Sequence, residues 1–86
     1  MLKFMSPSQC RGARALLDMT QPQLAEVAQV GLSTVVDFER ERRRVSEDAV
    51  EKMQLALKAA GIEFIDENGG GAGVRLRKPS GKPKRK

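Results

Sequence analysis

Between residues 7 and 60 the apolar positions recur at helical spacing with short interruptions, whereas residues 62 to 77 change to strand-like composition around a glycine run. Four helices and a hairpin follow from that pattern. Ser6-Pro7 opens the first helix as cap and first-turn proline, and Cys10, Ala13, Leu16 and Leu17 share one face as far as about Asp18. Thr20 has N-cap chemistry for the second, Pro22 sits where a missing N–H costs nothing, and Leu24, Ala25 and Ala28 form a buried stripe ending near Gln29. After Val30 and Gly31 a third helix starts at Leu32 or Ser33 and continues to about Arg42. Val45-Ser46 begins a fourth, in which Val50, Met53, Leu57 and Ala60 recur and Gly61 is the stop.

Ile62 to Asp66 and Val74 to Arg77 are the strand candidates, joined by ENGGGAG, whose Asn68-Gly69 and following glycines supply positive φ for a turn. A two-stranded hairpin alone is marginal in water, so it is expected to pack on the helices or pair with a second copy. The ending PSGKPKRK is proline-punctuated and purely basic and reads as a disordered tail. The expected organisation is mostly α: a helical domain over 1–61, a β-hairpin over 62–78 and a disordered basic tail over 79–86.

Composition narrows the function. With 86 residues the chain supports one small, marginal core, which a second subunit would help. A single Cys10 excludes an intramolecular disulfide, and the absence of His disfavours a metal site, so no metal or cofactor is expected. The sequence has no apolar run long enough for a bilayer and no signal-peptide stretch in MLKFMSPSQ, so a reducing cytoplasm is the expected setting. The net charge of +5 is uneven: all eleven acids precede residue 73, while Arg75, Arg77, Lys78, Lys82, Lys84, Arg85 and Lys86 follow it. A local cluster and a tail are basic, which suits a polyanion. Three Phe and no Tyr or Trp argue against a surface that stacks single-stranded bases. An enzyme is not expected, since there is no nucleophile with an adjacent base and no glycine loop between a strand and a helix.

The helices within residues 20 to 40 are short and closely joined, with buried positions at 24, 25, 28, 30, 35 and 38, a spacing that suits a helix-turn-helix. Thr20-Gln21, Leu24-Ala25, Val30, Ser33-Thr34-Val35 and Glu39-Arg40 resemble, without gaps, the run found in Cro and lambda-repressor-like DNA-binding domains, the XRE family. The resemblance covers about residues 8 to 60, and the hairpin ending in GVRLRK is similar to that of short alphaproteobacterial regulators of this family. It departs at Gln29, where Gly is usual, at Gly31 in place of a small polar residue, and at Asp37, where a polar or basic reader is common. The resemblance implies a four-helix lambda-repressor-like domain, and it implies that Arg14 and Glu39 form an ion pair between the first and third helices.

Faces assign the remaining roles. Val35 and Phe38 point inward. Leu32, Ser33, Thr34, Val36 and Asp37 form the candidate base-reading face: hydroxyls for base edges, Leu32 and Val36 for thymine methyls, Asp37 as acceptor from a cytosine amino group. Asp37 has a second reading as a rim acid paired with Arg40 or Arg42. Gln21 at a helix N-terminus and Arg40, Arg42, Arg43 and Arg44 at the end of the third helix are candidate phosphate contacts, and the arginines alternatively form a solvated cluster that complements the helix dipole. In the hairpin Ile62, Phe64, Val74 and Leu76 alternate with charged residues and are the candidate dimer contact.

These readings converge on a sequence-specific regulator of transcription, a repressor or autoregulator, that binds double-stranded DNA as a homodimer on a palindromic operator. The alternative is a protein-interaction module of antiactivator or antitoxin type that uses the hairpin to hold a partner.

Overall fold

The computed structural model describes residues 4–66 and 69–77. Four helices, α1 (Pro7–Leu17), α2 (Gln21–Ala28), α3 (Leu32–Arg40) and α4 (Glu47–Ala59), precede strands β1 (Ile62–Ile65) and β2 (Gly73–Leu76). Local chemistry sets the helix starts. Ser6 and Thr20 each cap their helix through a reciprocal box: the hydroxyl accepts from the N–H three residues on, and the Gln9 or Gln23 side chain accepts the cap N–H in return at 2.8 Å. Ser46 caps α4, whose first turn carries Glu47 and Asp48 where the helix dipole favours acids.

The helix ends are less conventional. Asp18, Gln29 and Glu41 all close their helices in the left-handed region, at φ of 56°, 60° and 57°. Each then satisfies orphan carbonyls of the last turn: the next residue donates back, as Arg42 does to the Asp37 carbonyl at 2.9 Å. For this reason α3 stops at Arg40, two residues before the expected end, and Arg42 already lies on the returning chain.

The core is shared by all four helices and the hairpin: Cys10, Ala13, Leu24, Ala25, Ala28, Val35, Val50, Met53, Leu57 and Ile62. Of the residues expected in it, Leu16 and Ala60 are exposed, and Leu17, Val30 and Phe38 are partly buried against it. Two glutamines, Gln9 and Gln54, are buried. Gln54 accepts the N–H of Met5, and this bond ties the buried Met5 and the preceding Phe4 down onto the core.

The strands pair antiparallel, with Ile62 opposite Leu76 and Phe64 opposite Val74. Alternation places these four on one face, and the helices take it up. Ile62 is fully buried, and Phe64 and Val74 pack against the core. Of the four residues expected at a dimer contact, Ile62 is thus fully taken up by the chain's own helices, Phe64 and Val74 in part, and Leu76 stays half exposed. Gln9 of α1 holds the tip by donating to the carbonyls of Ile65 and Gly73, at 3.3 and 3.0 Å. At Gly12 a Cβ would stand 3.2 Å from Val74 Cγ2, so the missing side chain lets β2 lie close on α1. On the opposite face Glu63 and Arg75 form an exposed ion pair at 3.1 Å. Gly69 and Gly71 have the positive φ expected of the connection, whereas Asn68 and the basic tail lie outside the described residues.

Gln29 tests the account of the helix ends. Glycine adopts the left-handed region without the ~1 kcal/mol or more that an L side chain costs there. Gln29→Gly is expected to raise thermal stability by about 0.5–1 kcal/mol, read from the shift in melting temperature.

Candidate functional site

Glu39 sits on the inward side of α3 beside Val35, and its side chain is 1% exposed. A carboxylate enclosed to that extent needs partners on every lone pair, because an unpaired buried charge costs several kcal/mol. The partners come from two other helices. Arg14 of α1 grips both oxygens, Nε to Oε2 and Nη2 to Oε1, each at 2.7 Å. Gln21 of α2 donates its amide to Oε1 at 3.0 Å, and the Cys10 thiol of α1 donates to Oε2 at 3.0 Å. Arg11 adds a hydrogen bond to the Glu39 carbonyl, and Arg14 also reaches the Met19 carbonyl at 3.0 Å.

Burial alone would raise the Glu39 carboxyl, but the hydrogen bonds from Arg14, Cys10 and Gln21 and the Arg14 charge outweigh it and hold the group below the usual carboxylate range. The same hydrogen bond to Glu39 raises the Arg14 guanidinium. Burial first, then the neighbouring carboxylate, pushes the Cys10 thiol far above its ordinary value and keeps it a neutral donor. The Arg14–Glu39 pair implied by the sequence is present. Two further members are not signalled by the sequence: Cys10, which shares the apolar face of the first helix, and Gln21, a candidate phosphate contact whose side-chain amide is turned to Glu39.

With α3 held by its inner edge, its other side faces outward. Leu32 and Ser33 are exposed in the first turn, Thr34 and Val36 are half buried on the flanks, and Asp37 and Arg40 continue the outer face. Gly31 begins α3 without a side-chain cap, so its first-turn N–H groups have no local side-chain acceptor. Asp37 pairs neither with Arg40 nor chiefly with Arg42. Its Oδ2 accepts from Arg43 Nε at 2.7 Å, and Arg42 stands 4.0 Å from Oδ1. Among the described residues Arg40 and Arg44 are exposed and form no ion pair.

An open groove runs past the N-terminus of α2, lined by Arg11, Arg14, Thr20, Gln21 and Arg40. Arg40 and Gln21, both assigned to phosphate from sequence, are thus brought to one place, while Arg42, Arg43 and Arg44 lie beyond the end of α3. Among the described residues no group of acidic or sulfur side chains is arranged to hold a metal ion, and no helix is long and apolar enough to cross a membrane. No known family model matches the chain, and no curated protein matches it in sequence.

The network carries a stability prediction with a definite sign. The folded carboxyl of Glu39 titrates below its unfolded value, so its ionised form contributes stability that is complete above about 4.5 and is lost as pH falls through the lower folded value. Arg14→Ala leaves that charge buried and unpaired and is expected to cost ~3 kcal/mol or more near neutral pH in chemical denaturation. Glu39→Gln removes the titrating group, so its stability should fall less steeply than that of the unsubstituted chain as pH is lowered below about 4.5.

Proposed function

We propose that the chain is a lambda-repressor-like helix-turn-helix protein that binds double-stranded DNA in a sequence-specific manner and regulates transcription as a homodimer. The observation that carries this reading is the anchoring of α3 by Glu39, which turns Leu32, Ser33, Thr34, Val36 and Asp37 outward from a rigid base. A helix presented in this way enters the major groove, about 12 Å wide, with its N-terminal residues at the base edges. The three-residue connection Gln29, Val30, Gly31 between α2 and α3 is as short as a helix-turn-helix needs.

Phosphates on one side of the groove fall to Arg40 and the start of α2, and on the other to the arginines after α3. The body of the fold is not basic, so its cations act through this placement rather than through total charge. One short helix reads only a few base pairs, and two copies about one helical turn apart, ~34 Å, supply the remaining specificity. Leu76, the one apolar hairpin residue left half exposed, is the surface that the hairpin retains for the second copy.

A binding selection from random duplex DNA is expected to return a palindromic consensus. On the selected duplex, Arg40→Ala and Arg44→Ala are each expected to weaken binding and to flatten the dependence of log affinity on log salt by about 0.9 per lost phosphate contact. A pool that yields no consensus, with affinity insensitive to salt, favours the protein-interaction module instead.

A further inference from the structure

Asp37 occupies the centre of the outward face of α3, where a bare carboxylate would repel the phosphates that flank a groove. The fold keeps it covered. Because Glu41 turns left-handed and Arg42 donates its N–H to the Asp37 carbonyl, the chain doubles back along α3 and delivers Arg43 to the Asp37 side chain. Arg43 Nε meets Oδ2 at 2.7 Å, its Nη1 also reaches the Arg44 carbonyl at 3.4 Å, and Arg42 stands within 4.0 Å as a weaker second cation. The pair is lopsided: the Asp37 side chain is 18% exposed, whereas Arg43 is 52% exposed and keeps an open side toward solvent.

The geometry points to Asp37 as an internal substitute for phosphate, which occupies Arg43 in the free protein and is exchanged for a DNA phosphate on binding. This inference rests on the DNA-binding reading and adds to it a source of specificity. Any duplex offers phosphate to Arg43, but the exchange leaves the Asp37 carboxylate without a donor in a site from which water is being removed. A major-groove amino group, that of cytosine above all, restores the lost hydrogen bond; a base edge that presents an acceptor does not. Sequence-independent binding is thereby held down while the matching site is spared. Asp37 in this role determines specificity mainly by competing for Arg43, and its contact with a base becomes available only once Arg43 has left.

The test is a double-mutant cycle on a labelled duplex of mixed sequence, about three helical turns long, with binding followed by fluorescence anisotropy at fixed salt. Asp37→Asn is expected to tighten binding to this non-selected duplex by about two- to five-fold, the range open to an exposed ion pair, and to leave the melting temperature nearly unchanged. The gain is expected to shrink toward unity when the same change is made in an Arg42→Ala, Arg43→Ala background. Asp37→Ser, which also removes the charge but not by an isosteric change, should behave alike. An equal gain in both backgrounds would show that Asp37 acts by plain repulsion of DNA, and weaker or unchanged binding would show that it does not compete for Arg43; either result overturns the inference and leaves the DNA-binding reading standing. If the unsubstituted chain shows no salt-dependent affinity for the duplex, that reading fails and the inference with it.

Discussion

The arrangement of the first three helices depends on one buried carboxylate. Glu39 is enclosed by α1, α2 and α3, and its charge is tolerable only while Arg14, Gln21 and Cys10 remain in hydrogen-bonding position. None of the three helices can shift without uncovering it. A small hydrophobic core of mainly aliphatic residues, without Trp or Tyr, does not by itself dictate how short helices are rotated relative to one another, because aliphatic contacts are not directional. The hydrogen bonds to Glu39 are directional, and they select one rotation of α3 about its axis. That rotation decides which of its residues face solvent, so the same interaction that stabilises the fold defines the candidate interface.

Much of this was legible in the chain because it is encoded locally. Helical spacing of Leu24, Ala25 and Ala28, the caps at Ser6, Thr20 and Ser46, and the alternation in GVRL each act within a few residues, and the elements they announce are present. The pairing of Arg14 with Glu39 was legible through resemblance and not through spacing. What escaped notice is tertiary. Nothing near Gln9 or Gln54 signals that the first will clamp a hairpin some fifty-six residues on, or that the second will hold Met5. Leu16 falls on a helical face with Cys10 and Ala13, yet only neighbours far along the sequence decide which edge of that face is covered. The left-handed ends at Asp18, Gln29 and Glu41 were obscure because glycine is the usual marker, and here packing and returned hydrogen bonds impose the conformation on other residues.

The charge pattern of residues 37 to 44 also becomes intelligible. Acids and arginines alternate there in sequence but separate in space: Glu39 goes inward to Arg14, Asp37 is covered by Arg43, and Arg40 and Arg44 remain open to solvent. The early stop of α3 contributes to this, since a helix continuing to Arg42 would carry Arg43 away from Asp37. The hairpin is the complementary case. Its apolar face is largely taken up in completing a core too small to close without it, with Leu76 left half exposed.

The central claim of the proposed function is that Glu39 anchors α3 so that its outer face, flanked by the start of α2 and the arginines after α3, is the surface that meets DNA. Titration of the labelled protein with a selected duplex, followed by backbone amide chemical shifts, tests it most directly. The account predicts that the largest changes fall on residues 31 to 37 and 40 to 44 and at the start of α2, with Glu63 and Arg75 on the outer face of the hairpin little affected. Changes concentrated on the hairpin, with residues 31 to 37 unmoved, would contradict it.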